Sequence, residues 1–449
     1  MNYQSLALHT DFYQITMAAC YHANSMNKTA GFSLFAHNLP DKRGYMVAAG
    51  LEYALDYLEN FCFTDQDIAY LDSLERFTPD FLDYLSKVRF TGEVWALPEG
   101  TVCRAGEPLL EVTAPLIEAQ LVETFLVNTL NLHTTLTSKA ARCVQAANGR
   151  ALLDFGLRRT QGPDAGMSAA RSSAIAGFAG TSNVAAAQVL GTMPAGTMAH
   201  SFIEAFGDEE KAFKAFAESF PKQGVFLVDT YDTVAGLKHA MECAKQLEKN
   251  GQKLLGVRID SGDLVAGTRQ AREMLDKAGF EDAAVVVSGS LDEIRIQELI
   301  NQGAQIDMMG VGTKMACSAD APFLDLVYKL VKYDNRPTLK LCTGKETWVE
   351  NKQIWRQTDE QGIITHDLLG LRTENNPGRP MLAQVMANGK VTHKEDWRAA
   401  HERFKEEVKT LPAPCLDIPQ PESYELKITP SLKNLQQKTK DEALSRCLG

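Results

Sequence analysis

Apolar runs rich in β-branched residues recur in this chain at a nearly constant interval, and that interval restricts the fold more than any other feature. Val225-Phe226-Leu227-Val228-Asp229, Leu254-Leu255-Gly256-Val257-Arg258-Ile259-Asp260, Ala284-Val285-Val286-Val287-Ser288 and Ile306-Asp307-Met308-Met309-Gly310 each have the length of a buried strand. Helical patterns at residues 233–249, 264–278 and 291–302 separate them. Starts near 225, 254 and 284 lie about thirty residues apart, close to the size of one β/α unit. No sequence repeat accompanies the interval, so a solenoid is not expected.

Two earlier runs extend the pattern. Ala151-Leu152-Leu153-Asp154-Phe155-Gly156 leads into Leu157-Arg158-Arg159-Thr160, and a small-residue helical stretch leads to Pro194-Ala195-Gly196-Thr197-Met198-Ala199-His200-Ser201-Phe202. With both taken as strands the chain has about six parallel strands, compatible with a barrel or an open doubly wound sheet. Either architecture puts ligands at the C-terminal strand ends. Those ends carry Leu157-Arg158-Arg159, His200-Ser201, Asp229-Thr230-Tyr231-Asp232, Asp260-Ser261-Gly262-Asp263, Ser288-Gly289-Ser290 and Gly310-Val311-Gly312-Thr313-Lys314. Turn chemistry enriches Gly, Ser and Asp in any loop, so each motif is weak alone and their co-location carries the inference.

The flanks read differently. Residues 11–23 have helical spacing with Thr10 or Asp11 as N-cap, Gly31-Phe32-Ser33-Leu34-Phe35 alternates like a strand, and His37, Lys42 and Arg43 follow in a turn expected to be solvated. Residues 48–61 form an amphipathic helix, and Thr78-Pro79-Asp80 opens another. Short strands are expected at 93–97, 101–103 and 108–112, then two helices meeting near Asn131. Beyond Asp320 short strands return at 324–332, 338–342, 353–356 and 362–364, too few to be stable alone, so they are expected to join the N-terminal domain. A charged helix at 394–410 and a Pro-rich segment at 412–421 precede a polar tail.

Composition excludes several classes. With 449 residues, 45% apolar and 23% charged, the chain can bury a large core without staples. A net charge of −11 argues against a general nucleic-acid surface, so any phosphate must be met locally. Nine cysteines without a CxxC pair fit reduced thiols and a cytoplasmic setting. The opening Met1-Asn2-Tyr3-Gln4-Ser5 has no basic segment followed by an apolar one, and no run nears the ~18 apolar residues of a membrane span.

The strand-end residues suggest anion chemistry. A double arginine offers paired donors to carboxylate or phosphate oxygens. The small residues of Ser288-Gly289-Ser290-Leu291 and Gly310-Val311-Gly312-Thr313-Lys314 would let backbone N–H groups approach phosphate, with a helix dipole behind them, although an ordinary βα turn explains either one equally well. Neither has Walker A spacing. In Arg258-Ile259-Asp260-Ser261-Gly262-Asp263 the carboxylates are structural caps or bridges, or they accept ribose hydroxyls or hold magnesium carried by pyrophosphate. The nine histidines lack metal-ligand spacing, so no dedicated metal site is expected. His200 reads as a core histidine, a general acid/base or a phosphate acceptor, and Tyr13 as a core ring or one stacking on a flat ligand.

Leu8-His9-Thr10-Asp11-Phe12-Tyr13-Gln14, Asp154-Phe155-Gly156-Leu157-Arg158-Arg159, Gly196-Thr197-Met198-Ala199-His200-Ser201-Phe202, Arg258-Ile259-Asp260-Ser261-Gly262-Asp263 and Gly310-Val311-Gly312-Thr313 together resemble nicotinate phosphoribosyltransferase, in that family's order. Tyr424-Glu425-Leu426 to Leu435 resembles its C-terminal segment. The resemblance implies an irregular, incomplete TIM-like α/β barrel at residues 136–323 carrying the phosphoribosyl site. Beside it stands an α+β domain built from residues 1–135 with about 324–435, and residues 436–449 form a peripheral tail. It implies a homodimer with the active site shared between subunits, and transfer of phosphoribosyl from phosphoribosyl pyrophosphate to nicotinate, with ATP as co-substrate and Mg2+ carried by ATP or pyrophosphate.

The resemblance also assigns residues. His200 falls on the phosphorylated histidine, Tyr13 (from the other subunit) and Phe155 on the rings that sandwich the pyridine, and Arg158 on a base or phosphate contact. Thr197 and Arg258 fall on substrate contacts, Asp260 on a ribose or magnesium contact with Ser261 beside it, and Gly289, Gly312 and Thr313 on the phosphate cradle. Ser182 stands where related nicotinamide enzymes have aspartate, and a hydroxyl can donate to a carboxylate that aspartate would repel. Nicotinate is therefore favoured over nicotinamide. Quinolinate would call for more basic residues, and a catalytically silent nucleotide-binding barrel would not need His200, Arg258 and Asp260 together. One departure is His37, where the family's early segment is expected to carry arginine; Lys42 or Arg43 is the alternative contact.

Overall fold

The computed structural model describes residues 6–249, 251, 253–341 and 347–448. The opening pentapeptide and Cys342, the end of the strand expected at 338–342, lie outside the described residues. The chain is a mixed α/β protein of two compact units, one of residues up to 138 with 323 onward, the other of residues 139–322.

In the first unit a seven-stranded antiparallel sheet runs Arg336–Pro337, Leu326–Tyr333, Thr29–Ala36, Pro108–Pro115, Glu93–Ala96, Ala383–Ala387, Lys390–Val391. Leu34 sits opposite both Leu110 and Tyr328, so both termini build its core. A four-stranded sheet follows the order Arg379–Pro380, Lys352–Thr358, Ile364–Leu371, Glu425–Ile428. Caps start the helices where the sequence marks them: Thr78 Oγ1 accepts the Phe81 N–H at 3.3 Å, with Pro79 at the first helical position.

Three expectations for this unit change. The helix break falls at Val122, between Leu116–Leu121 and Glu123–Ala147, and not near Asn131, whose amide oxygen accepts the Leu324 N–H at 2.8 Å from within the longer helix. Arg43 is buried rather than solvated, where the chain passes so closely under residues 415–422 that a Cβ on Gly44 would lie 2.5 Å from the Cys415 carbonyl. The described part of 338–342 forms no strand; pairing with Leu326–Tyr333 ends at Arg336–Pro337. The tail is helical, in Pro430–Leu448, and the Gln436 side chain bonds the Val349 N–H and the Thr347 carbonyl.

The second unit holds six parallel strands in the order Gly180–Thr181, Ala151–Asp154, Met308–Val311, Ala284–Val287, Gly256–Ile259, Val225–Leu227. Helices Thr233–Lys249, Leu264–Lys277 and Glu293–Asn301 link the later ones. Phe226, Val257, Val285, Val287 and Met309 are fully buried, the apolar content that a parallel sheet covered by crossover helices requires. One expected strand is absent. Proline at 194 has no N–H to give, so residues 194–199 make only an isolated bridge, Thr181 to Pro194, and His200 opens the helix His200–Phe206. The sixth strand is the two-residue Gly180–Thr181.

Candidate active site

In the Gly256–Ile259 strand alternate residues face opposite ways, so buried Val257 and Ile259 leave Arg258 and Asp260 on the other face. Three strand ends are laced together there. Asp229, just past Val225–Leu227, accepts the Asp260 N–H at 2.8 Å and the Ser261 hydroxyl at 2.7 Å with one carboxylate oxygen, Oδ2. Asp260 Oδ1 in turn accepts the Ser288 hydroxyl at the end of Ala284–Val287. Asp229 Oδ1 is buried with no hydrogen-bond partner among the described residues.

Arg258 reaches across this cluster. Its Nη1 donates to Thr197 Oγ1 at 2.7 Å, while Nε is buried and unpartnered among the described residues. Burial pushes the Arg258 pKa down, Asp260 and Asp229 oppose that shift, and Arg158 adds to it. His200 is half-buried at the start of its helix, with Nδ1 3.2 Å from Thr230 Oγ1, the tautomer deciding which donates.

The neighbouring strand ends supply a ring and glycine turns. The Phe155 N–H donates to the Val311 carbonyl at 2.8 Å, and its ring lies so closely on Gly310 that a Cβ there would be 2.4 Å from it. Arg158 and Arg159 follow in a short 3-10 turn at the same strand end; both are exposed, and Arg159 Nη1 is 3.4 Å from Thr313 Oγ1. Gly289 has φ +99°, and a Cβ would meet the Asp260 carbonyl at 2.1 Å, so only glycine fits. Gly312 and Thr313 open the turn after Met308–Val311. Ser182 is half-buried and its N–H donates to the Asp154 carbonyl at 2.8 Å. Tyr13 is in the first unit, in the first turn of Phe12–Ala23, and 49% exposed.

Several acids prove structural. Asp263 caps Leu264–Lys277 by accepting two N–H groups, and Asp292 caps Glu293–Asn301, with Lys314 Nζ 2.7 Å away. Burial disfavours the Asp292 charge, but Lys314 and the capping N–H outweigh it and lower the pKa. The helix dipole expected to serve a phosphate at Ser288-Gly289-Ser290 is thus met first by the protein's own carboxylate. Asp229 and Thr230, expected only as part of a polar strand-end turn and assigned no role, belong to the cluster. The available clue was an apolar run closed by aspartate, repeated at Asp154, Asp229 and Asp260.

Among the described residues no group of three or more His, Cys, Asp or Glu side chains could hold a metal by itself. The free buried oxygen of Asp229 beside Asp260 does fit a magnesium ion that arrives on a polyphosphate, because that hard cation takes few protein carboxylates.

The model of the nicotinate phosphoribosyltransferase N-terminal domain matches residues 8–131, and that of the nicotinate phosphoribosyltransferase family matches residues 150–376. The chain is 46% identical over 408 residues to nicotinate phosphoribosyltransferase pncB2 of Mycobacterium tuberculosis, covering 90% of this chain and 88% of that one. It is 44% identical over 362 residues to the Bacillus subtilis nicotinate phosphoribosyltransferase, covering 78% and 73%. The crystal structure of human nicotinic acid phosphoribosyltransferase superposes with a TM-score of 0.85 at 27% identity, over 96% of this chain and 99% of that one. A nicotinate-nucleotide pyrophosphorylase from Pyrococcus furiosus, at 23% identity and TM-score 0.74 over 90% and 95%, shares the fold. The chain belongs to the nicotinate phosphoribosyltransferase family.

Proposed function

We propose that this protein joins nicotinate to phosphoribosyl pyrophosphate, giving nicotinate mononucleotide and pyrophosphate in NAD biosynthesis, with ATP hydrolysis coupled through a phosphohistidine at His200. One observation carries the reading. In a chain of this family, Arg258 and Asp229 keep a buried N–H and a buried carboxylate oxygen uncommitted among the described residues, at strand ends tied to one another. The pyridine nitrogen bonds to the anomeric carbon as the bond to pyrophosphate breaks, so positive charge gathers on the sugar and negative charge on the leaving group. Donors held in place for that leaving group favour the transition state.

The parts divide as follows. Arg258 with Thr197, and the turns at Gly289, Gly312 and Thr313, meet phosphate oxygens; Asp260 and Ser261 accept or position ribose hydroxyls. Asp229 and Asp260 would hold a magnesium ion brought by the pyrophosphate, and that ion would supply charge neutralisation there. The nicotinate ring stacks on Phe155 and on Tyr13 of a second copy, with Arg158 beside it and Ser182 donating to its carboxylate. His200, with Nδ1 near Thr230, takes the γ-phosphoryl group of ATP on Nε2 as the bond to ADP breaks, and its phosphorylation changes affinity for the other substrate until water cleaves the N–P bond, which couples binding states.

The finer architecture belongs to the same reading: an irregular, incomplete TIM-like barrel plus an α+β domain, supported by the strand order and by the Pro194 bridge beyond Gly180–Thr181. A homodimer is supported by the exposure of Val184, Val189 and Met193, at 68%, 75% and 83%, and of Phe12 and Tyr13. No described helix is long and apolar enough to cross a membrane, and a cytoplasmic setting suits the free described cysteines. The test is product formation from nicotinate and phosphoribosyl pyrophosphate with and without ATP, repeated on His200→Ala. The reading expects ATP stimulation and acid-labile phosphate in the wild type only. Acid-labile phosphate persisting in His200→Ala rejects the assignment.

A further inference from the structure

Asp154 closes the first parallel strand and is 1% exposed, yet among the described residues no cationic side chain pairs with it. A buried carboxylate without a counter-charge is expensive and needs hydrogen bonds to persist. It has them on both oxygens. Oδ1 accepts the Gly156 N–H at 2.8 Å, which fixes the turn leaving Phe155. Oδ2 accepts the Thr181 hydroxyl at 2.7 Å, on the neighbouring strand.

The chain of bonds continues away from Asp154. Thr181 Oγ1 accepts the Asn183 N–H at 3.1 Å, and Asn183 Oδ1 caps Val184–Leu190 through the Ala186 N–H at 3.1 Å. The Asp154 carbonyl accepts the Ser182 N–H at 2.8 Å. Thr181 and Asn183 are both 3% exposed, so water does not substitute for these bonds. Burial raises the Asp154 pKa, and the Thr181 and Gly156 bonds hold it back. Thus one side chain ties the turn that carries Phe155 and Arg158 to the segment that carries Ser182.

We propose that Asp154, acting through Thr181, is a positioning residue that fixes the distance between the ring-stacking and carboxylate-reading sides of the nicotinate pocket. It touches no substrate. The inference rests on the reading of Phe155 and Ser182 as the two sides of that pocket. Asparagine at 154 would keep one acceptor and turn a donor toward Thr181, whose hydroxyl already accepts from Asn183, so the relay would lose its direction.

The experiment measures KM for nicotinate, KM for phosphoribosyl pyrophosphate, kcat, the nicotinate to nicotinamide ratio of kcat/KM, and Tm, for Asp154→Asn, Thr181→Val, the double variant and Thr181→Ser. Each of the first two is expected to raise KM for nicotinate about tenfold, as a slightly misplaced pocket does, and to erode the preference over nicotinamide. KM for phosphoribosyl pyrophosphate should stay within about twofold, and Thr181→Ser, which keeps the hydroxyl, should match the wild type. The double variant should be no worse than the worse single, since both break one link. Should Asp154→Asn fail to fold, near-isosteric Thr181→Val carries the test. Equal rises in both KM values, or a loss that only follows the folded fraction, overturns the proposal. Phe155→Leu and Ser182→Asp serve as controls: if they leave nicotinate KM and preference unchanged, the pocket reading itself is wrong and this proposal falls with it. If they shift both while Thr181→Val shifts neither, the positioning role alone is wrong.

Discussion

Arg356 and Arg258 are both partly or wholly buried strand arginines, one in each unit, and they are treated in opposite ways. Arg356, in Lys352–Thr358, uses all three nitrogens: two bonds to Asp367 at 3.0 and 2.7 Å, one to Glu407 at 2.6 Å, and others to the Val102 carbonyl and the Tyr424 hydroxyl. Burial opposes its charge, but Tyr424, Asp367 and Glu107 outweigh burial and its pKa rises. Arg258 has one hydroxyl partner, and burial leaves its pKa lowered. A saturated guanidinium holds the fold together; one with an idle buried N–H is kept for something else.

The largest expected effect breaks the saturated side. Arg356→Ala leaves buried Asp367 without its cation and Glu407 with Arg379 alone, and should destabilise the protein by about 3–5 kcal/mol. Urea unfolding would record it, and a loss under about 1 kcal/mol would mean that the cluster is not what secures the 424–428 segment.

Next comes the strand floor under Phe155. Gly310→Ala puts a methyl where the ring lies, an overpacking of about 1–3 kcal/mol that the ring can relieve only by moving. It should appear as a loss in kcat/KM for nicotinate with little change in KM for phosphoribosyl pyrophosphate. Unaltered nicotinate kinetics would place the ring outside the pocket.

The saturated cluster can also be probed without breaking it, through pH. Burial pushes Glu107 well above the usual carboxylate range, Asp367 adds to this and Arg356 opposes it. An acid whose pKa is raised on folding holds a proton that the unfolded chain releases, so its stabilisation is full below the unfolded value and fades as pH rises toward the folded one. Stability should therefore fall by up to about 1.4 kcal/mol per pH unit above roughly pH 4.5 from this group. Glu107→Gln should flatten that slope in urea midpoints taken from pH 5 to 8; an unchanged slope would show Glu107 ionised in the fold.

What the sequence revealed depended on how local the cause was. Val225–Leu227, Gly256–Ile259 and Ala284–Val287 were legible because a strand covered on both faces must be apolar along its length, and Thr78-Pro79 because a cap is a contact over three residues. Gly180–Thr181 was not, since two residues carry no periodicity and the pairing is set by Asp154 on another strand. Nor was the burial of Arg43 legible, beside a Gly44 that packs against residues 415–422, far along the chain. At the site, Arg258 and Asp260 stood out by type and position at a strand end, and His200 by type alone, since the strand expected before it is absent. Asp229 was legible as a strand-end residue but not in its role, which lies in bonds to Asp260 and Ser261 about thirty residues away, one β/α unit on.

The contrast between the two arginines is tested most directly by nicotinate mononucleotide formation from nicotinate and phosphoribosyl pyrophosphate by the wild type and by Arg258→Met, with Tm measured on both. Arg258→Met should lower kcat/KM by more than about a hundredfold, as when one fixed donor to transition-state charge is removed. Its Tm should stay within about 2 °C of wild type. Undiminished turnover in Arg258→Met, or a loss that only tracks unfolding, would contradict that contrast.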